Sequence, residues 1–523
     1  MPMPVSPMKW DAWGDPALAT PLSDDIKALL QHLLGVSAGD VDAPLFEEVR
    51  LRTSTLIEAD KQALVDVVGA EYVSTGDADR LLRAGGKSTL DLLRRRSREP
   101  QDAPDAVVTP GSDDEITALL HICADRGIGV VPFGGGTSVV GGLEPIRGTF
   151  HAVIALDLCR LTHFELDEVS LEAKLGAGLP GPRAEELLAE QGCELGHYPQ
   201  SFRFATIGGF AATRSSGHAS SGYGRFDQMV TGLRAVTPVG VVDLGRAPAS
   251  AAGPDLRELF LGSEGVFGVI TAVRVRVHPI PAARRHEAWL FPDFATGSAA
   301  VRTVAQQGTG PTVLRLSDEA ETGITFALAG QTGSGCLAVA TFEGGHEQVA
   351  ARLAATQAVL TNAGGTSLGT DPAQAWERSR FDAPYLRDAL LANGALCETL
   401  ETATTWANLA ALKDAVTQAL QAVLGTSLVM CHISHVYPTG ASLYFTVVAA
   451  LGEDPIIRWA GAKRAASEAI LIHDGTITHH HAVGVDHRPW MAQEVGEVGV
   501  RILRAVKQTL DPAGILNPGK LVP

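Results

Sequence analysis

The chain has 523 residues, 45% of them hydrophobic and 19% charged, with a formal net charge of -17. Such a length buries large cores and fills more than one domain. The acidic balance argues against a nucleic-acid partner, because nothing would neutralise a run of phosphates. It leaves room for an anionic substrate, since a few arginines can dominate one pocket. No apolar run approaches the length of a membrane span, and the start MPMPVSPMKWDAWG lacks the basic and apolar stretches of a secretion signal. The ending Gly-Lys-Leu-Val-Pro is not a peroxisomal Ser-Lys-Leu address. These features predict a cytoplasmic setting. The cysteines at 123, 159, 193, 336, 397 and 431 form no C-x-x-C pair and read as reduced thiols.

Residues 1–100 read as mostly helical. Ser23 caps a helix running to Leu34, which Gly35 closes. The basic run from Arg94 to Arg98 reads as a solvated helix end, and EPQDAPD after it as a linker. From 106 the pattern alternates: a short strand at 106–109, a capping box Ser112-Asp113-Asp114-Glu115, a helix at 116–124 and a strand at 129–131. That strand feeds PFGGGTSVVGG at 132–142. Adjacent glycines let backbone N–H groups turn inward and approach an anion closely, because no Cβ stands in the way. No Lys follows Gly136, so this is not a Walker loop, and Val139 stands where a dinucleotide fingerprint needs its third glycine. By itself the loop reads equally well as a glycine turn between strands.

Two further blocks join small and hydroxyl residues to strand-like runs: YPQSFRFATIGGFAATRSSG at 198–217 and GPDLRELFLGSEGVFGVITAVRVRVHP at 253–279. Residues 273–277 alternate apolar and basic, as in a strand with one wet face. HPIPAARRHE at 278–287 reads as a domain boundary. Strands at 335–341 and 442–449 and a helix at 347–363 follow. Met491, Val495, Val498, Ile502, Val506 and Leu510 form one apolar stripe at helical spacing, ended by Asp511-Pro512. The polar candidates in this second half are Arg315, Arg387, Tyr444 and His479-His480-His481. Each has a bland reading. Asp318 and Asp388 stand ready to satisfy the arginines, and a strand Tyr packs its ring and bonds its hydroxyl. A triple His on a strand points to opposite faces, so all three do not readily meet one ion. No metal is expected.

The three ordered blocks together resemble the flavin domain of the vanillyl-alcohol oxidase/PCMH superfamily over residues 106–279. The resemblance implies an α+β protein: a mostly helical region at 1–100, a PCMH-type FAD-binding domain at 101–282, a mixed α/β cap over the substrate at 283–475, and a segment at 476–523 that returns to the flavin. It implies that the FAD pyrophosphate rests on Pro132, Phe133, Gly134, Gly135, Gly136, Thr137 and Ser138. From the second block it implies contacts by Gln200, Ser201, Phe202, Arg203, Phe204, Ala205, Thr206, Gly208, Gly209, Thr213, Arg214, Ser215 and Ser216. From the third it implies Ser263, Glu264, Gly265, Val266, Phe267, Gly268 and Val269. Some relatives carry a loop His that bonds the flavin covalently. Thr137 and Ser138 after the glycines imply a dissociable FAD instead.

Within that superfamily, one branch oxidises D-2-hydroxy acids and holds a metal with His-x6-His and Glu-His. Here Tyr437 and Tyr444 stand at the first pair and His480-His481 at the second. MKWDAWG at 8–14, Arg315, Arg387, Tyr444 and HHHAVG at 479–484 resemble the alkyldihydroxyacetonephosphate synthases instead, from residue 8 to 520, while the tail DPAGILNPGK at 511–520 resembles that of the superfamily at large and suits the hydroxy-acid branch equally. That resemblance implies exchange of the acyl group of acyl-dihydroxyacetone phosphate for a long-chain alcohol through a flavin N5 adduct, with no net redox. It implies Tyr444 as the proton abstractor, its pKa lowered by adjacent cations, and Arg387 as a planar fork for phosphate or carboxylate. His479, His480 and His481 would shape the site. A homodimer, a lipid substrate and peripheral membrane contact are also implied. The competing expectations are a flavin-linked dehydrogenase of D-lactate, glycolate or 2-hydroxyglutarate, and a non-enzymatic flavin- or lipid-binding protein.

Overall fold

The computed structural model describes residues 8–36, 43–328 and 330–523. Ser23 accepts the Ile26 N–H to open the helix Asp24–Leu34, and Gly35 closes it at φ 65°. Ser112 likewise accepts from Glu115 N–H, but the Glu115 carboxylate turns to the Gly111 N–H at 2.7 Å. The expected box is therefore half made, and the helix runs Asp113–Arg126. The strands Ala106–Val108, Ala152–Asp157 and Ile128–Phe133 lie parallel in that order, with Val73–Ser74 antiparallel at the edge. The middle strand is buried along its whole length, as a parallel sheet covered on both faces requires. Leu516 of the C-terminal tail bridges to Val130, beside the strand that leads into the glycine loop. A second, antiparallel sheet has the order Phe164–Asp167, Glu172–Gly176, Val269–Arg276, Val230–Thr237, Gly240–Leu244. In its central strand Val273 and Val275 are buried while Arg276 is exposed.

The rest of the chain builds a seven-stranded antiparallel sheet. Its order is Thr366–Gly369, Ala283–Phe291, Cys336–Gly344, Val313–Ser317, Ser427–Ile433, Gly440–Ala450, Ala395–Thr405. Period-two alternation gives this sheet two different faces. Leu314, Leu316, Ala338, Ala340, Cys431, Ile433, Leu443 and Phe445 point into an apolar core with the helices Phe294–Gln307, Leu409–Leu424 and Pro455–Ile472. Their neighbours Arg315, Ser317, Leu337, Val339, His432, Tyr444 and Thr446 line a cavity on the opposite side.

Two sequence expectations fail at the N-terminal end. The basic run is not a solvated helix end: Arg95 is buried and donates to the Trp10 carbonyl, Arg96 donates to the Asp11 carbonyl, and the Lys87 ammonium reaches the carbonyls of Lys9, Trp10 and Ala12. These cations hold the 8–14 segment in place. Nor is 99–105 a loose linker, since buried Asp105 accepts the N–H groups of Thr55 and Val153. The final helix, Met491–Leu510, also departs from its expected stripe. Gly496 adopts φ 72°, ψ 164°, which breaks the helical register. Met491 and Val500 are buried and Val506 and Leu510 pack inward, but Val495, Val498 and Ile502 face solvent.

Candidate active site

The flavin region and the cap sheet enclose a cavity of about 1440 Å³. Pro132 to Ser138 form one wall, with Gln200, Ser201, Ala205, Thr206, Gly208, Gly209, Thr213, Ser215, Ser216, Glu264 and Gly265. Not every residue expected at the cofactor lies there. Phe202 stacks on Phe381 at 5.9 Å, Arg203 sits over the same ring at 5.5 Å, and Phe204 packs edge-on against Trp13 at 5.7 Å. Arg214 turns away to Glu258 and the Leu261 carbonyl. Ser263, Val266, Phe267 and Val269 are buried behind the wall, and Gly268 abuts Phe260 and Thr237.

The remaining wall fits FAD. Among the described residues, none of the N–H groups from Gly134 to Val139 donates to a protein acceptor, so the loop offers a row of free donors to an anion. A Cβ on Gly135 would fall on the Phe204 carbonyl, and one on Gly134 on the Thr206 hydroxyl. The glycines are thus required by the neighbouring loop as well as by close approach of a ligand. Gln200 Nε2 and Ser216 Oγ, on residues that line the same cavity, are buried without a partner.

The cap face supplies the charged groups. Arg315 does not pair with Asp318, which instead accepts the N–H groups of Cys431 and Glu321 and pairs with Lys413 at 3.3 Å. Arg315 Nη2 donates to Glu321 at 2.6 Å and stands 2.9 Å from His432 Nδ1, itself 3.1 Å from Glu321. Burial would raise the Glu321 carboxyl, but Arg315 and His432 hold it at about 2. Tyr444 stacks on His432 with centroids 4.9 Å apart and meets His481 edge-on at 5.6 Å. The expected fall in its pKa does not occur. Burial pushes the hydroxyl up to about 12; Glu398 and Glu401 add repulsion, and the Thr399 hydrogen bond and the Arg315 charge offset this only in part. Arg387 is corrected too. It lines the cavity, but its fork is spent on Asp388, at 2.8 Å and 3.0 Å, and on the Lys87 carbonyl.

Residues 479–481 are not a strand, so the alternation argument against their convergence does not apply. They form a loop wound round the Glu401 carboxylate, which accepts the N–H groups of His479, His480 and His481 and the Thr478 hydroxyl. Burial would raise Glu401; the imidazoles and the Thr478 hydroxyl hold it well below the usual carboxylate range. The loop brings His479 Nδ1 to 3.0 Å from His480 Nδ1. His480 and His481 line the cavity and His479 stands behind them, 2.7 Å from the Tyr437 hydroxyl.

Sequence reasoning passed over His432, Glu321, His218, His435 and Arg380, all of which reach this site. His432 carries a usable signal, because it lies on the same face as Tyr444, with which it pairs in register. Arg380 lies over the rings of Tyr198 and Phe381 at 5.0 Å and 4.9 Å, and its carboxylate neighbour Glu377 is 3.9 Å away. His218 and His435 leave no local mark, since only the tertiary fold brings them in.

Residues 104–245 match the family model described as FAD binding domain, and residues 280–521 the one described as FAD linked oxidases, C-terminal domain. The chain is 32% identical to the alkyldihydroxyacetonephosphate synthase of Trypanosoma brucei brucei, across 99% of this chain and 92% of that one. The chain belongs to the alkyldihydroxyacetonephosphate synthase family. The family's member from Dictyostelium discoideum is also 32% identical, over 85% of this chain and 77% of its own. A solved alkyldihydroxyacetonephosphate synthase superposes with a TM-score of 0.85 at 27% identity, covering 98% of this chain and 99% of the other. A solved p-cresol methylhydroxylase shares the fold at a TM-score of 0.71 and 15% identity, over 88% and 96% of the two chains. Like the family, this chain is an FAD-dependent enzyme with an α+β, PCMH-type flavin domain. No helix among the described residues is long and apolar enough to cross a membrane.

Proposed function

We propose that this chain exchanges the acyl group of an acyl-dihydroxyacetone phosphate for a long-chain alcohol, a reaction that would yield the alkyl-dihydroxyacetone phosphate for which its relatives are named. The observation that supports it best is the cavity itself. Its flavin wall and its Arg315, His432, Tyr444 and His480 face are polar, while its solvent-exposed rim carries Leu328, Leu368 and Leu386. A phosphorylated head with a long apolar tail matches that division. In this reading residues 101–282 hold the cofactor, 283–475 cap the substrate, and 476–523 return to close the site. A homodimer in the cytoplasm, with the apolar rim touching a membrane surface, completes it.

FAD, when bound, would supply the reactive ring that makes substitution at the substrate's C1 possible. The glycine loop and Gln200, Ser201 and Ser216 would hold it. Arg380, whose carboxylate neighbour Glu377 stands 3.9 Å away, and the Arg315 nitrogens not given to Glu321 bind the phosphate, in preference to Arg387, whose fork is spent on Asp388 and the Lys87 carbonyl. Tyr444, protonated at neutral pH, donates its hydroxyl hydrogen to the ketone oxygen. In the tautomer whose Nδ1–H is given to Glu321, with the Arg315 donor turned to the same carboxylate, the His432 Nε2, which makes no hydrogen bond among the described residues, takes the C1 proton. Burial keeps this imidazole neutral and so able to accept. His479, His480 and His481 shape the pocket around the ketone.

Two outcomes follow. Acid precipitation should release free FAD into the supernatant, because no His stands in the loop after Gly136; yellow colour held in the pellet would show a covalent link. Anaerobic mixing with D-lactate, glycolate or D-2-hydroxyglutarate should leave the flavin spectrum unchanged. Rapid bleaching would transfer the chain to hydroxy-acid oxidation.

A further inference from the structure

The loop round Glu401 places two imidazole nitrogens, His479 Nδ1 and His480 Nδ1, 3.0 Å apart. A third imidazole joins them from a different part of the chain. His435 follows the strand Ser427–Ile433, stacks on His479 with centroids 5.0 Å apart, and meets His480 edge-on at 5.4 Å. One nitrogen from each of the three lies within 4.8 Å of the others. We propose that His435, His479 and His480 form a binding site for a divalent transition-metal ion of the kind that favours imidazole, with Zn²⁺ as the first candidate.

Four features support the site. First, His435 is only 4% exposed, and its Nδ1 has no hydrogen-bond partner. A buried nitrogen left unpaired points to a missing partner. Second, the spacing is right. Nitrogens on a tetrahedral zinc, with Zn–N about 2.0–2.1 Å, stand roughly 3.3 Å apart. The His479–His480 pair is already close to that, and the third ring must draw in by roughly 1.5 Å from the widest separation present. Third, the second layer is that of a metal site. The Tyr437 hydroxyl sits 2.7 Å from His479 Nε2 and fixes which nitrogen faces inward, and the buried Glu401 carboxylate lies 3.6 Å from His480 as a counter-charge. Arg225, whose charge reaches the same rings, is answered by Asp227 at 3.3 Å. Fourth, His435 and His480 line the cavity, so three protein ligands leave a position open toward substrate. An ion there would polarise an oxygen of whatever enters, beside Tyr444. The donors are not the His-x6-His positions, which Tyr437 and Tyr444 occupy. The His479 Nδ1–His480 Nδ1 hydrogen bond needs a proton on one of the two nitrogens, and the ion would take that proton's place.

The test uses untagged, FAD-loaded protein stripped of metal by chelation and dialysed. Zn²⁺ and, separately, Co²⁺ are titrated by calorimetry, and bound metal is counted after gel filtration. One ion per chain should be retained, with X-ray absorption showing three imidazole nitrogens in its shell. His435→Gln and His479→Gln should each weaken binding at least tenfold, while His278→Gln, outside the cluster, should not. Flavin absorbance reports that each variant is folded and loaded. Failure to retain an ion, or retention unchanged in both His435→Gln and His479→Gln, would overturn the site. Acyl-for-alcohol exchange is measured in parallel. Exchange by a protein that binds no metal overturns this inference alone, and metal binding without exchange overturns the proposed reaction alone.

Discussion

Tyr444→Phe should lower the rate of acyl-for-alcohol exchange by about 10²–10³-fold, the usual cost of losing one donor to a developing oxyanion. The substitution removes a single hydroxyl. It keeps the ring that stacks on His432 and meets His481, so stability and FAD content should hardly change. The size of the effect follows from the protonation state. A hydroxyl pushed up to about 12 is a donor at neutral pH, and loss of a donor is felt where charge builds on the ketone oxygen. Exchange kinetics with flavin absorbance followed alongside give the answer. Near-normal turnover in a fully loaded variant would remove Tyr444 from the reaction.

Gly135→Val should yield protein without flavin. The new side chain would strike the Phe204 carbonyl and the Ala205 backbone, neither of which can swing aside as a side chain would. The loop would have to lift from the 204–206 segment, and the row of free N–H donors from Gly134 to Val139 would scatter. Gly135→Ala should show the same defect in milder form. The measurement is the ratio of flavin to protein absorbance after gel filtration, with the melting temperature checking that the chain is folded. Stoichiometric FAD in Gly135→Val would mean that the cofactor's pyrophosphate lies elsewhere.

Local features of this protein are legible in its sequence because they depend on neighbours within a few residues. Ser23 and Gly35 bound their helix by side-chain capping and a left-handed turn, and the glycines after Phe133 announce a loop open to an anion. Alternation at 273–277 marks a strand with one wet face. What fails is whatever depends on distant partners. Arg95 and Arg96 look solvated until the 8–14 segment lies across them. Arg387 pairs with its neighbour Asp388, as the sequence allows, but that the Lys87 carbonyl takes the rest of its fork depends on a partner three hundred residues away. One glycine, Gly496, turns half of an apolar stripe to solvent. The histidine loop is the sharpest case. Read as a strand, 479–481 scatters its side chains. Wound round Glu401, it gathers them, and no pattern in 479–481 reveals that a carboxylate eighty residues away organises it.

The most direct measurement is exchange itself. FAD-loaded protein is incubated with acyl-dihydroxyacetone phosphate and a labelled long-chain alcohol, and both the ether-linked product and the released fatty acid are quantified. The account predicts that label enters the dihydroxyacetone phosphate product in equal amount to the fatty acid released, with oxidised flavin before and after. Absence of labelled product, together with flavin reduction by a D-2-hydroxy acid, would contradict it.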